Sequence, residues 1–436
     1  MLSRNYDPAL REVMNRYGSQ LANMVADGGG LQDGVQGLVS QVRRYIDASG
    51  MFDDLSDDER EDAARFCIDD LFQLGPLEPL LADDSITEIM VNAPDMVLVE
   101  RGGKIVDSGV HFFDDTHIER IITKIVASDN RRCDSSSPMC DCKLRRRGAS
   151  FDGSRVNAVW KPIAVDHPTL DIRKFRNDLL TPEALISMGT MDEKIADFLC
   201  ALVEARMNII ISGGTGSGKT TLLNAVSNFI PNDQRIITIE DTAELNLAKD
   251  HVIRLEGRQA NSEGAGLITI RQLVRNTLRM RPDRIVVGEC RGAESFDMLQ
   301  AMGTGHDGSL TTLHANDARR ALGRLEMMMQ MSEEGAGMPN RSIRQFISDA
   351  VDFIVQTRRF RDGSRRITEV VEVCGMQGDV ITTGNIFKFQ EEGMIDGRIQ
   401  GSFVPGGDRM MRSHIVRFEN AGIPVNDSWF DDGRTW

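Results

Sequence analysis

Residues 208–226, NIIISGGTGSGKTTLLNAV, constrain this chain more than any other stretch. A short apolar strand runs into Gly213-Gly214-Thr215-Gly216-Ser217-Gly218-Lys219-Thr220, and a helical pattern follows. This is G-x-x-x-x-G-K-[ST] in the strand–loop–helix setting that the motif requires. Glycines let successive backbone N–H groups converge on phosphate oxygens without Cβ interference. The loop also opens a helix, whose N-terminus favours an anion. The spacing predicts Lys219 at the β and γ phosphates and Thr220 on Mg²⁺, with Thr221 continuing the binding stretch. The expected ligands are ATP or ADP with Mg²⁺. An accidental Gly-rich turn would explain neither flank.

A nucleotide site serves switches, transferases and motors alike, so the remaining strands must decide. Three further apolar runs end in groups capable of chemistry. RIITIE ends in Glu240-Asp241, with Glu244 close behind; RIVVG ends in Glu289; SLTTL ends in His314. Ligands of parallel sheets lie beyond the carboxyl ends of the strands, so these ends are expected on the edge that carries the phosphate loop. Asp283 precedes its strand and belongs to the opposite edge. His306, in GTGHDGS, sits in a loop with the reach to fold near the phosphates. Each has a plain structural alternative: Glu240 and Asp241 as helix caps, Glu289 as a surface carboxylate, the histidines as structural hydrogen-bond donors.

Composition narrows the class. The 436 residues carry 51 Lys plus Arg against 66 Asp plus Glu, a net charge of −15. A protein that coats nucleic acid needs a basic field to displace counterions, so no nucleic-acid partner is expected. The first residues, MLSRNYDPALREVMNRYG, have no apolar signal core, and no apolar run approaches the ~18 residues of a membrane span. The chain is expected to be cytoplasmic, with its seven cysteines reduced.

Along the chain, residues 1–50 read as short helices around a Gly28-Gly29-Gly30 break, a flexible appendage. Residues 51–70 carry nine acidic side chains on what reads as one amphipathic helix with a solvated face. Alternation at 86–106, a helix at 115–128, and strands SRVNAVW and TLDIRKF make 51–176 a compact α+β unit. Residues 129–150 read as irregular. A linker at 177–182 leads to Thr181-Pro182-Glu183, a capping residue and proline that start a helix. Residues 183–390 alternate helix and strand, the texture of a parallel sheet wrapped by helices, closing in hairpin-like strands. Residues 391–436 read as a tail.

With these residues in view, the chain resembles the secretion ATPase superfamily of type II and type IV secretion and type IV pili. Within it, the likeness is closest to the tight-adherence (CpaF-type) pilus assembly ATPases. The resembling stretches are LGPLEPLLADDSITEIMVN, DGSRVNAV, IRKF, GGTGSGKTTLLNA, ITIEDTAEL, RNTLRMRPDRIVVGE, RGAE and DMLQAMGTGHDGSLTTLHAN, from residue 74 to about 330. The resemblance implies an α/β fold: a RecA-like P-loop ATPase domain preceded by a smaller, PAS-like α+β domain. It implies a homo-hexamer that binds ATP between the two domains and works on polytopic inner-membrane platform proteins, peripheral at the inner face of that membrane. Carried over, Gly213 to Thr220 are the Walker A loop and Glu289 is the Walker B acid handling Mg²⁺. Glu240 and Glu244 fall in the Asp box, where a glutamate polarises the attacking water and approaches the metal. His306 and His314 fall in the His box, and Arg155 and Arg173 match arginines that reach the terminal phosphate on closure. An arginine delivered this way stabilises charge on the γ-phosphate oxygens only in the closed state.

Two departures stand out. Cys290 follows the Walker B glutamate where the family has an aliphatic residue. Residues 131–147, RRCDSSSPMCDCKLRRR, form a basic, cysteine-bearing stretch where the family runs briefly from helix to strand. Its C-x₆-C-x-C spacing lacks the paired pattern and fourth ligand of a zinc site. It reads as a solvated loop, or as a contact for an acidic partner or anionic lipid heads.

Overall fold

The structure, a computed structural model, describes residues 4–26, 34–145, 153–174, 180–260 and 264–431. The chain divides into two compact units, Met1–Asn177 and Asp178–Trp436. The Gly28–Gly30 break, residues 177–179 of the expected linker, and Arg146 and Arg147 of the basic stretch lie outside the described residues.

The first unit begins with three helices, α1 (Asp7–Ala26), α2 (Gly34–Ser49) and α3 (Asp57–Phe72). Ser56 starts α3 with a capping box: its hydroxyl accepts the Glu59 amide while the Glu59 carboxylate takes the Ser56 amide. Asp57, Asp58, Glu59 and Asp62 of the acidic run lie on the solvated side of this helix, whereas Asp70, expected on the same face, is buried. Its other side packs Ala63, Ala64, Cys67 and Ile68 against Leu10 and Val13 of α1 and Val42 and Ile46 of α2. Helices α1 and α2 are therefore not a loose appendage, since they share a core with α3. A boundary at residue 50 cuts through this shared core, which unpaired amphipathic helices in sequence do not reveal.

A short helix α4 (Glu78–Ala82) leads to β1 (Ile86–Ala93), β2 (Met96–Arg101) and β3 (Lys104–Asp107), then α5 (Asp115–Ser128) and β4 (Met139–Lys143), β5 (Arg155–Val159) and β6 (Thr169–Arg173). The strands form one antiparallel sheet in the order β3-β2-β1-β6-β5-β4. Ile118, Ile121, Ile122 and Ile125 of α5 cover its inner face, packing with Ile89, Val97, Val156 and Ile172. Strand β4 corrects the expectation of an irregular stretch at 129–150. Cys140 and Cys142 alternate inward while Met139 and Asp141 face out, so these thiols, with Cys133, act as small apolar residues. Burial pushes the Cys133 thiol up to about 11. Among the described residues, no group of three or more His, Cys, Asp or Glu is arranged to hold a metal.

Helix α3 is tied to α5 by a buried carboxylate. Asp70 accepts from His117 Nε2 at 2.6 Å and Arg120 Nη2 at 2.5 Å, while Lys124 Nζ donates to the Asp70 carbonyl at 2.6 Å. Burial works against the charge on Asp70, but these partners outweigh it and hold its carboxyl below the usual range.

The second unit runs α6 (Pro182–Ser187), α7 (Glu193–Glu204), β7 (Ile209–Gly213), α8 (Lys219–Ser227), β8 (Ile236–Glu240), β9 (Val252–Glu256), α9 (Ile270–Thr277), β10 (Arg284–Cys290), α10 (Glu294–Gly303), β11 (Leu310–His314), α11 (Ala318–Gln330), α12 (Asn340–Ala350), β12 (Phe353–Arg359), β13 (Arg365–Gln377), β14 (Val380–Ile395), β15 (Arg398–Pro405) and α13 (Arg412–Asn420). Nine strands make one sheet, β15-β14-β13-β12-β7-β11-β10-β8-β9. From β12 to β9 the neighbours are parallel; from β12 to β15 they are antiparallel. Apolar cores cover both faces, which is why β7 and β8 are buried at every residue.

Two buried polar side chains fix the amino edge of the parallel strands. Asn208, just before β7, accepts the Gly308 and Ser309 amides at 2.9 and 3.1 Å. Its amide donates to the Met302 and Ala350 carbonyls at 3.2 and 2.9 Å. Arg284, wholly buried at the start of β10, donates to the Gln234 side chain and to the Gly308 and Val203 carbonyls.

The expected tail from residue 391 is part of this unit. Strand β14 crosses residue 390, β15 pairs with it, and Phe418 and Trp429 enter the core beside Phe198. Helix α13 is held by charge. His414 Nδ1 meets Glu372 at 2.6 Å and Nε2 meets Asp352 at 3.2 Å, while Arg417 Nη1 reaches both Asp352 oxygens at 2.7 Å. Burial alone would depress the imidazolium, but Asp352 and Glu372 prevail and raise its pKa to about 9.

A group bound more tightly by its proton in the folded chain stabilises fully below its unfolded value, here 6.5, and loses that contribution as pH rises through about 9. Between pH 7 and pH 10 the wild type should therefore lose up to about 3 kcal/mol more stability than His414→Gln. Urea unfolding at the two pH values measures the difference.

Candidate active site

The parallel register sets the site. Gly213 at the end of β7 lies opposite His314 at the end of β11 and Thr357 on β12. Val287, two residues before Glu289, pairs with Ile239, one residue before Glu240. The phosphate loop, Glu240, Glu289 and His314 thus occupy one edge, beyond the carboxyl ends of β7, β8, β10 and β11. Asp283 lies at the other edge, accepting the Arg235 amide at 2.8 Å.

The loop is locked by its own backbone and by β12. Gly216 and Gly218 take φ of +67° and +89°, closed to most side chains. Gly218 is the residue before α8, so the turn feeds directly into the helix. Ser217 Oγ and Thr357 Oγ1 share a hydrogen bond of 2.9 Å, and Thr357 also donates to the Ser212 carbonyl at 3.2 Å. Lys219 Nζ donates to the Gly214 carbonyl at 3.0 Å, which holds the ammonium at the loop. Thr220 and Thr221 are partly exposed on the first turn of α8, while Thr215 is exposed at the loop tip.

The two glutamates meet different surroundings. Glu240 is 4% exposed. Its Oε1 accepts the amides of Glu244 and Leu245 at 3.0 and 2.9 Å, while Oε2 is buried with no hydrogen-bond partner. Burial dominates and pushes its carboxyl up to about 7, against the pull of the two amides. Glu289 is more open, and its Oε2 accepts from Arg291 Nε at 2.8 Å and Nη2 at 2.6 Å. The Glu240 position thus suits proton exchange near neutral pH, while Glu289 is held in an ion pair with Arg291.

His314 is partly buried at the edge. Burial, followed by Lys219 and Arg324, holds its pKa below the ordinary value, so the ring is neutral at neutral pH. His306 is a correction. It precedes β11, whose first residue, Leu310, pairs with Ile209 at the start of β7. The histidine therefore belongs to the amino edge, a full strand length from the phosphate loop, and its carbonyl accepts from Ser309 Oγ at 2.7 Å. A loop that enters a parallel strand cannot share the edge that the strand's end defines.

Arg155 and Arg173 lie in the first unit as direct cross-strand neighbours on β5 and β6. Lys143 opposes Arg155 from β4, and Glu88 opposes Arg173 from β1. Directly opposed residues share a face, so the sheet carries a row of three cations followed by two glutamates, Glu88 and Glu100, and Glu88 Oε1 is 3.7 Å from Arg173 Nε.

The residues fit a nucleotide with magnesium. A cation that keeps its water and binds mainly through phosphates needs one hydroxyl and one or two carboxylates rather than a protein cage. Thr220, Glu289 and the unpartnered Oε2 of Glu240 are such groups. Cys290, by contrast, is core: its Sγ lies 3.4 Å from Thr311 Oγ1, and burial pushes the thiol up to about 12.

Sequence reasoning missed Thr357 and the reason for Gly288. Glycine at 288 leaves space for the neighbouring strand's carboxylate: a Cβ there would stand 2.9 Å from Glu240 Cγ. Gly288→Ala is expected to displace Glu240 and lower ATP turnover at least about tenfold. Steady-state phosphate release, with near-ultraviolet circular dichroism as the folding control, measures it.

The family model described as type II/IV secretion system protein matches residues 70–385. A Mycobacterium tuberculosis protein named for conjugal transfer is 38% identical over 306 residues, 70% of this chain and 86% of its own length. The type IV secretion system protein VirB11 of Brucella suis is 32% identical over 328 residues, 69% and 89% of the two chains. The crystal structure of the Brucella suis VirB11 ATPase in complex with sulphate is 30% identical, covering 68% of this chain and 95% of that one, with a TM-score of 0.37. The chain belongs to the type II/IV secretion system protein family, and it is an ATPase of that family.

Proposed function

We propose that the chain is the ATP-hydrolysing motor of a filament-assembling or secretion machine. The observation that carries this reading is the single sheet edge where the phosphate loop, a buried carboxylate with one unpartnered oxygen, and an arginine-paired carboxylate come together. Lys219 and the loop amides hold the β and γ phosphates, and Thr220 with Glu289 holds Mg²⁺. Glu240 takes up the proton of the attacking water, with neutral His314 nearby as a hydrogen-bonding group. Arg155 and Arg173 stabilise the terminal phosphate when nucleotide draws the sheet of the first unit onto the ATPase unit. Their support is the resemblance carried by DGSRVNAV and IRKF and their placement side by side on β5 and β6.

The working form is a homo-hexamer at the inner face of the cytoplasmic membrane, acting on polytopic platform proteins. No helix among the described residues is long and apolar enough to cross a membrane. The likeness to tight-adherence ATPases supports pilus assembly as the task. Relatives named for conjugal transfer favour a second reading, a motor that moves nucleic acid. Turnover stimulated by a co-purified platform protein, and unchanged by DNA, supports the first; stimulation by DNA supports the second.

The chemistry has its own test. Lys219→Ala should abolish turnover. Because Glu240 holds its proton until about pH 7, turnover should fall as the pH drops below 7, and Glu240→Gln should remove both the activity and that limb. The variant should be no less stable than the wild type at pH 8, since a buried ionised carboxylate is what the substitution deletes. Full activity in Glu240→Gln would overturn its role as the base.

A further inference from the structure

The turn between β12 and β13 reads Arg358-Arg359-Phe360-Arg361-Asp362-Gly363-Ser364-Arg365-Arg366, five arginines in nine residues. Strand β12 runs parallel to β7, with Thr357 level with Gly213, so the residues after Thr357 continue past the strand end alongside the phosphate loop. Three of the arginines are engaged away from that loop. Arg358 lies over the Phe360 ring, Arg361 pairs with Glu391 at 3.5 Å, and Arg366 donates to the Ile399 carbonyl at 2.8 Å.

The other two face the loop. Arg365 Nε donates to the Gly216 carbonyl at 2.9 Å. A Cβ added to Gly218 would stand 3.2 Å from Arg365 Cδ, and one added to Gly216 would stand 3.5 Å from Arg359 Nη1. Arg359 is exposed, and no carboxylate among the described residues pairs with it. In a loop that turns its amides toward an anion, the carbonyls are left pointing away and need donors of their own. Arg365 supplies one from outside, while Arg359 adds a second cation beside the phosphate-binding backbone.

We propose that this turn is a second, arginine-bearing wall of the nucleotide site. Arg365 is a positioning residue that fixes the phosphate loop through the Gly216 carbonyl, and Arg359 is a binding residue for the polyphosphate. The proposal rests on the ATPase reading above. It assigns part of ATP affinity to an element beyond the loop itself, donated by the same chain.

The test measures KM and kcat for ATP in the full chain and in Arg359→Ala, Arg365→Ala, Arg365→Lys and Arg361→Ala. Losing the donor to Gly216 should raise KM about tenfold in Arg365→Ala with kcat changed less than about threefold. Arg365→Lys, which keeps a cationic donor, should recover most of that rise. Arg359→Ala should raise KM about threefold and weaken its dependence on salt, and Arg361→Ala should leave both constants unchanged. Wild-type KM in Arg359→Ala and Arg365→Ala, or an equal rise in Arg361→Ala, overturns the proposal. No hydrolysis by the wild type overturns the ATPase reading instead. Arg359 is exposed, so its variant keeps the test decisive even if Arg365→Ala does not fold.

Discussion

The level carboxyl edge of the parallel sheet depends on one buried side chain at the opposite edge. Asn208 uses its carbonyl on the two residues that open β11 and its amide on the ends of α10 and α12. A buried amide with every group satisfied is directional in a way that apolar packing is not. It fixes where β7 and β11 begin, and strands of equal length then end together, Gly213 beside His314. Arg284 extends the same control to β10 through neutral acceptors, although burial pushes its guanidinium down to about 9.

At the far edge, one strand order produces two carboxylates of different character. Glu240 is enclosed because Gly288 leaves it room, and the Glu244 and Leu245 amides take only one of its oxygens. Glu289, on the neighbouring strand, opens toward solvent and meets Arg291. The difference arises from burial and a charge partner, not from residue type. One carboxylate enclosed beside another that is open and ion-paired gives the two positions distinct chemical roles.

Much of this was legible in the chain. The phosphate loop is a local signal, since its glycines, lysine and threonine are adjacent and their conformation follows from residue type. The ends of RIITIE, RIVVG and SLTTL could be assigned to one edge because a parallel sheet admits no other arrangement. His306 was misjudged because proximity in sequence to SLTTL hides which end of a strand a loop serves. Strand β4 was hidden because its inward residues are cysteines set in a strongly charged stretch, which read as a solvated loop rather than as packing. The C-terminal segment looked like a tail because glycine turns separate β14, β15 and α13, and its aromatic contacts span more than 200 residues, as between Trp429 and Asp197.

Asp352 joins two distant parts of the second unit. One of its oxygens takes the amide of Asn208, immediately before the phosphate-loop strand, at 2.7 Å, and the same carboxylate takes Arg417 from α13. The last helix is thus a counter-ion for the hinge point of the nucleotide strand. Cutting the chain before Arg412 would leave a buried charge uncompensated next to β7, a more disruptive change than the loss of a surface helix. The C-terminus is accordingly a poor place for truncation, while fusions that leave α13 seated would spare the ATPase core.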